Sequence, residues 1–389
     1  MRAVNVLILG STGSVGTQTL DVIAASGGSF KVFALCAGKN IELLKRQIEC
    51  FRPRFAVVAD RDDAEKLRMG VQNCEILCGD DAETELAGSP EVDIVVIASR
   101  SLFPLKAFYA AAAAGKRIAV SNKETIVACG DELLALAAGS GALVIPVDSE
   151  HNAIYQCLQG ESAKSVDGLL LTCSGGAFRD LAKSELERVT AQKALAHPNW
   201  KMGAKITIDC ATLANKGLEV IEAMRFFKVS ADDIEVVLHR ESIIHSMVRF
   251  KDGSVKALLS VPDMKLPISY ALNYPDRANA IIPDLDFKSL KSLNFGVPDT
   301  DRFPCLGLAL TCARMGGAYP LIFTSANDVA VEAFMRNKIG FYGINYYINL
   351  ALEHFGGSSV GGVDAVCELD GAIKRYVSGK IDENRWEKL

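Results

Sequence analysis

Val4-Asn5-Val6-Leu7-Ile8-Leu9-Gly10-Ser11-Thr12-Gly13-Ser14-Val15-Gly16 is an apolar run that breaks at glycine and reopens as a helix. Val4 to Leu9 has no regular polar alternation, so it reads as a parallel strand buried on both faces. Thr17 to Ala25 reads as the helix behind it. Glycines in the turn let a pyrophosphate approach the backbone, and the helix start presents free N–H groups to it. The spacing is GxxGxxG rather than GxGxxG, so the strand–turn–helix context is what gives it meaning. The alternative is a tight turn that serves only helix packing. Thr12, Gly13, Ser14 and Val15 are the candidate cofactor contacts.

The same rhythm continues outward. Lys31 to Leu35, Phe55 to Ala59, Ile94 to Ala98 and Arg117 to Ser121 read as strands. Ile41 to Cys50, Leu105 to Ala114 and Asp131 to Ala138 read as helices. The alanine run before Gly115-Lys116 is a helix with a glycine stop, not a linker. The alternation predicts a doubly wound, Rossmann-like α/β domain over residues 1–147. After the second strand comes Cys36-Ala37-Gly38-Lys39-Asn40, with no acid to bind a ribose 2′-hydroxyl. A lysine there attracts a 2′-phosphate, so Gly38, Lys39 and Asn40 point to NADP. The alternative for Lys39 is a solvated surface lysine.

Beyond residue 148 the pattern changes. Leu169 to Thr172, Ala204 to Ile208, Glu235 to Leu238, Ile243 to Phe250 and Ser254 to Ser260 read as strands of a second sheet. Lys251-Asp252-Gly253 is a hairpin signal. These make a central α+β domain over 148–273. Prolines 275, 283, 298 and 304 and fading periodicity mark 274–304 as a linker. Helical spacing in Ala326 to Asn337 and Ile344 to His354 predicts a C-terminal helical bundle over 305–389.

Two acids stand at the first boundary, in Pro146-Val147-Asp148-Ser149-Glu150-His151-Asn152. On a strand end, a period of two puts Asp148 and Glu150 on one side of the backbone. Glu219, in Asn215-Lys216-Gly217-Leu218-Glu219, can close a triad from a second segment. Oxygen-only ligation favours Mg²⁺ or Mn²⁺ over Zn²⁺. The alternative is a pair of solvated acids at a strand–loop boundary.

The whole chain sets limits. Its 389 residues suffice for two or three domains, and 49% apolar with 23% charged residues is ordinary for a globular protein. A net charge of −5 without a dense basic run argues against nucleic acid. Eleven scattered cysteines with no CxxC pair read as reduced thiols of a cytoplasmic protein. The apolar run near the N-terminus is too short for a signal-peptide core, and no stretch is long enough to span a membrane.

With these motifs in place, the chain resembles the 1-deoxy-D-xylulose 5-phosphate reductoisomerase family. The resemblance rests on Gly10 to Gly16, Ser121-Asn122-Lys123-Glu124, Pro146 to Gln156 and Ser174-Gly175-Gly176. It continues through His197-Pro198-Asn199-Trp200-Lys201-Met202-Gly203, Asp209 to Glu222, Ser242 to Gly253 and Ser325-Ala326-Asn327-Asp328. It implies conversion of 1-deoxy-D-xylulose 5-phosphate to 2-C-methyl-D-erythritol 4-phosphate in the non-mevalonate isoprenoid route. It also implies NADPH, a divalent metal (Mn²⁺, Mg²⁺ or Co²⁺) and a homodimer.

By that resemblance, Asp148, Glu150 and Glu219 hold the metal, and Lys123 and Ser149 touch the reacting oxygens. Asn122, Glu124 and Gly203 meet the cofactor. Ser174, Asn215 and Lys216 bind the substrate phosphate. His197 to Met202 forms a lid in which Trp200 covers the carbon skeleton and His197 reaches its oxygens. Ser242 and His245 also match site positions, and His151 supports the acids rather than ligating metal.

Three departures stand out. Cys210 takes the place of a phosphate-binding serine, Ala98-Ser99-Arg100-Ser101 replaces a glycine-containing segment, and His239-Arg240-Glu241-Ser242 replaces a His-Pro-Gln-Ser pattern. Two other readings compete. One is a metal-free NADP-dependent dehydrogenase of a small phosphorylated or acidic aldehyde. The other is a dinucleotide-binding sensor that has lost catalysis, against which the intact acids and Lys123 speak.

Overall fold

The computed structural model describes residues 2–195 and 203–383. The expected lid, with His197 and Trp200, therefore lies outside the described residues. By internal contacts the chain forms two units. One comprises Met1–Thr125, Asp131–Asn152 and Asp263–Asp284; the other comprises Ile126–Gly130, Ala153–Pro262 and Leu285–Leu389.

The first unit is built on a seven-stranded parallel sheet: β1 (Val4–Leu9), β2 (Phe30–Ala37), β3 (Phe55–Val58), β4 (Glu75–Cys78), β5 (Ile94–Ile97), β6 (Arg117–Val120) and β7 (Leu143–Pro146). Its order is β4-β3-β2-β1-β5-β6-β7. The progression reverses between β1 and β5, where an open α/β sheet leaves a crevice at the strands' carboxyl ends. Leu9 at the end of β1 stands opposite Cys36 on one side and Ile97 on the other. Val6 to Leu9 are fully buried, as an unalternating run requires.

Two elements of this unit are hard to read from the pattern. β4 has only four residues, of which Ile76 alone is buried. The helix Lys265–Asn273 lies far along the chain from the rest of the unit. It packs on Ser14–Ala25, where Lys265 pairs with Asp21 at 2.9 Å. The Arg117 guanidinium also donates to the Leu272 carbonyl at 2.8 Å.

The second unit holds a four-stranded sheet of β8 (Val166–Cys173), β9 (Ile234–Leu238), β10 (Ile244–Phe250) and β11 (Val255–Leu259), ordered β11-β10-β8-β9. β8 and β9 are parallel and the other neighbours antiparallel. The expected hairpin joins β10 to β11, with Gly253 at φ +86°. Helices Pro304–Met315, Tyr319–Met335, Phe341–Phe355 and Val363–Asp382 supply much of the unit's main core, including fully buried Phe323, Ile344 and Tyr347.

Ala204 to Ile208 is not a strand. It opens the helix Ala204–Thr212. The alternation of Ile206 and Ile208 imitates a strand, but Thr207, Ile208 and Ala211 are buried together, which is helical spacing. Thr207 Oγ1 bonds the Gly203 carbonyl at 2.9 Å, so the β-branched residue is satisfied within the helix. The irregular stretch after 285 also forms structure of its own. Gly296 pairs with Leu238 through two backbone bonds of 2.8 and 2.9 Å.

Candidate active site

The glycine turn is shaped by contact. A Cβ on Gly10 would stand 2.8 Å from the backbone of Ala98 and Ser99, and Gly10 has φ +84°. A Cβ on Gly16 would strike the Gly10 carbonyl oxygen at 2.3 Å. The turn is tied down by Gly10 and Ser11 amides, which donate to the Cys36 carbonyl at 2.9 and 2.8 Å. Gln47 completes the anchor. It accepts from Ser11 Oγ and donates to the Ser11 carbonyl, both at 2.9 Å. The sequence signal for Gln47 is a lone amide on the apolar face of Ile41–Phe51, buried between Leu44 and Ile48. Gly13 and Ser14 remain exposed at the helix start, and Thr12 and Val15 are partly so. Gly13 is the N-cap and has no side chain to satisfy the first amides. These amides and the helix dipole suit a phosphate.

Beside this turn, Gly38, Lys39 and Asn40 are exposed at the end of β2. Asn40 also caps the next helix by accepting from Leu43 N at 3.2 Å. Asn122 is almost fully engaged: its amide nitrogen donates to the Ser99 and Ser101 carbonyls, both at 2.8 Å, and its oxygen caps Thr125. It thus holds the unusual Ala98–Ser101 segment in place. Glu124 is partly buried in the first turn of the helix Lys123–Ser140.

Asp148 and Glu150 are not on a strand. β7 ends at Pro146, and Asp148 precedes the helix Ser149–Cys157. Its Oδ1 accepts from Glu150 N at 3.2 Å and meets His151 Nδ1 at 2.9 Å. Asp148 is therefore an N-cap and Glu150 lies in the first turn, where the helix dipole favours negative charge. A strand's period of two does not apply to these acids, because the chain turns helical one residue after Asp148. Lys123 Nζ donates to Asp148 Oδ2, and both side chains are buried. Ser149 Oγ donates to Glu150 Oε2 at 2.6 Å. His151 is fully buried, and with Asp148 and Glu222 it forms a second group of possible metal ligands beside Asp148, Glu150 and Glu219.

In the second unit, Leu213 at φ +59° separates Ala204–Thr212 from Ala214–Phe227. The second helix carries Asn215, Lys216 and Glu219, all buried. Lys216 Nζ donates to Glu219 Oε2 and to the Thr172 carbonyl, the latter at 2.6 Å. Asn215 Nδ2 donates to Glu219 Oε1, while Asn215 Oδ1 is buried with no hydrogen-bond partner. A buried acceptor left without a partner is costly. Ser174 opens a loop in which its Oγ accepts from Gly176 N at 3.3 Å. Gly175 and Gly176 have φ +82° and +69°, and a Cβ on Gly176 would lie 2.4 Å from the Cys210 carbonyl oxygen. That close approach sets partly buried Cys210 beside the Ser174 loop. Gly203 is exposed at the N-cap of Ala204–Thr212. Ser242 and His245 are buried, and His245 Nε2 lies 2.7 Å from Ser260 Oγ. The charges added in the His239–Ser242 segment have local partners: Arg240 pairs with Asp180, and Glu241 binds Asn294.

Three family descriptions match in succession: 1-deoxy-D-xylulose 5-phosphate reductoisomerase over residues 6–130, and two C-terminal domains of that enzyme over 144–227 and 259–376. A 1-deoxy-D-xylulose 5-phosphate reductoisomerase of Chloroherpeton thalassium is 45% identical over 379 residues, covering 97% of this chain and 98% of its own. The chain belongs to the 1-deoxy-D-xylulose 5-phosphate reductoisomerase family. A reductoisomerase of Geobacillus kaustophilus is 47% identical over 95% of this chain and 97% of its own. Among solved reductoisomerases, one in complex with NADPH, fosmidomycin and magnesium superimposes with a TM-score of 0.93 at 36% identity, over 97% of this chain and 98% of its own. The enzyme from Zymomonas mobilis in complex with NADPH gives 0.91 at 35% identity, over 98% and 99%.

Proposed function

We propose that the chain converts 1-deoxy-D-xylulose 5-phosphate to 2-C-methyl-D-erythritol 4-phosphate, using NADPH and a divalent metal. The observation that carries this reading is the full-length likeness to a reductoisomerase in complex with NADPH, fosmidomycin and magnesium. The local chemistry fits. The glycine turn offers exposed helix-start amides, with Lys39 after the neighbouring strand for a 2′-phosphate. Asp148, Glu150 and Glu219 offer only carboxylate oxygens, the donor set of a hard cation. The metal supplies Lewis-acid polarisation of the substrate's oxygens, and NADPH supplies hydride.

The chain's own residues place the substrate. Lys123, oriented by Asp148, presents an ammonium to the reacting oxygens, and Ser149 adds a hydroxyl beside Glu150. Ser174, Asn215 and Lys216 take the phosphate, with Cys210 as the weaker fourth contact. His197 and Trp200 belong to the lid that excludes water during the reaction. Asn122, Glu124 and Gly203 line the cofactor, Asn122 through its hold on Ser99 and Ser101. In functional terms residues 1–147 bind NADPH, 148–273 bind metal and substrate, 274–304 connect, and 305–389 form the helical support.

We further read the enzyme as a cytoplasmic homodimer. Its described cysteines are free thiols, and no helix among the described residues is long and apolar enough to cross a membrane. Loss of NADPH absorbance with the pentulose phosphate, with and without Mn²⁺, tests the reaction; metal-independent turnover refutes it. Light scattering tests the dimer.

A further inference from the structure

His239 follows β9 and is 1% exposed. Its Nε2 accepts from two successive backbone amides, Ile243 at 3.2 Å and Ile244 at 3.1 Å. Its Nδ1 faces the Asn294 carbonyl at 3.0 Å. An amide only donates and a carbonyl only accepts, so these partners assign the neutral ring with its proton on Nδ1. The His239 amide donates to the Cys173 carbonyl at 2.7 Å, one residue before Ser174. Ser242, held at φ +54°, donates its amide to the His239 carbonyl at 3.2 Å. A left-handed serine is uncommon and persists only where its neighbours fix it.

The far side of the ring is held by the stretch after 285. Phe295 stacks on the imidazole, with ring centres 5.1 Å apart and planes at 21°. Asn294 donates its backbone and side-chain N–H groups to the two oxygens of Glu241. Gly296 is bonded both ways to Leu238. Glu241 is one of this chain's departures, and it suits this latch: a carboxylate offers two acceptors where a glutamine offers one.

We propose that His239, latched by Glu241 and Asn294–Gly296, is a positioning residue that holds Ser242 and the Ser174 loop in the shape that binds the substrate phosphate. This rests on the reading of Ser174 as a phosphate contact. The ring acts through the backbone of the turn.

The test is a comparison of His239→Ala, His239→Gln and Glu241→Ala with the native enzyme. Loss of two neutral acceptor bonds corresponds to about tenfold in affinity. His239→Ala should raise the KM for the sugar phosphate and the inhibition constant of inorganic phosphate by about that factor. The KM for NADPH should not change, and kcat should stay within about threefold. His239→Gln, whose carbonyl replaces the Nε2 acceptor, should recover part of the loss. Glu241→Ala, on a partly buried side chain at the edge of the turn, should give the same split at about two- to threefold and decides the matter if His239→Ala does not fold. Unchanged phosphate affinity in a folded variant, or equal losses for phosphate and NADPH, would overturn the proposal. Direct phosphate binding to the native chain and the variants separates the two readings: a native chain that binds phosphate but does not turn over the substrate refutes the reaction, and the dissociation constants of phosphate for His239→Ala and Glu241→Ala then decide this proposal.

Discussion

Two buried carboxylate–lysine pairs, Asp148 with Lys123 and Glu219 with Lys216, solve one problem in different ways. Asp148 sits where a strand gives way to a helix. Backbone donation from Glu150, the helix start and His151 support its charge in addition to the lysine. Glu219 lies inside a helix, three residues after Lys216, beyond the reach of the N-terminal dipole. The side chains of Lys216 and Asn215 donate to its two oxygens. The first acid is thus fixed largely by the course of the chain and the second by its neighbours' identity. Mutations should register more sharply at the second.

The largest effect is expected at Glu219 itself. Glu219→Gln keeps the shape but removes a carboxylate, and kcat/KM should fall by about 10²–10³-fold, the scale of losing one electrostatic contact to the transition state. NADPH binding should persist, and a chelator should abolish native turnover until Mg²⁺, Mn²⁺ or Co²⁺ is returned. Undiminished turnover of the variant in EDTA breaks the case for a metal there.

Removing the lysines sharpens the contrast directly. Stripping one partner from a buried ion pair costs about 3–5 kcal/mol. Lys216→Met should fall in that range, whereas Lys123→Met should cost less, by about 1 kcal/mol, because cap and dipole remain for Asp148. Denaturant melts of the two variants decide it; a Lys123 variant less stable than its counterpart reverses the argument.

Exposed Lys39 carries a smaller expectation. A charge-assisted contact to phosphate contributes about 1.5–3 kcal/mol. Lys39→Ala should raise the NADPH requirement by tens to hundreds of fold, while NADH use changes little. Equal use of both cofactors by the native enzyme removes the basis for this assignment.

Cys210→Ser should have the mildest consequence. Replacing a thiol with a better donor at the phosphate end should lower the substrate KM by about two- to tenfold, with kcat little changed. An unchanged KM would mean that Cys210 serves packing alone.

The first sheet was largely legible because its strands are unbroken apolar runs separated by helices and glycines. What escaped was governed by distant contact. β4 is short and at the edge, and Lys265–Asn273 joins the first unit only through packing on Ser14–Ala25. Ala204–Thr212 has a strand's local alternation, which its three-dimensional burial overrides. The identities of Asp148 and Glu150 were visible but their geometry was not. A two-residue spacing is compatible with a strand or a helix start, and only the turn after Pro146 decides between them. Gln47 and His239 are anchors whose partners lie 36 and 55 residues away, at Ser11 and Asn294, beyond any local pattern.

Gly217 lies between Lys216 and Glu219 in the chain, and a methyl group placed on it would stand 2.2 Å from Ala309 Cβ. The helix bearing the phosphate and metal candidates therefore rests on Pro304–Met315 with no room for even the smallest side chain. The bundle works there as a gauge block: the thickness of two small residues sets the level at which Glu219 stands. Elsewhere the bundle holds the site by polar links, with Asn327 donating to Asp209 at 2.8 Å and Asp328 pairing with Lys205 at 3.1 Å, but at positions 217 and 309 only small residues fit. A chimera that exchanges the C-terminal helices with a relative should keep its catalytic level only if it brings a small residue to position 309.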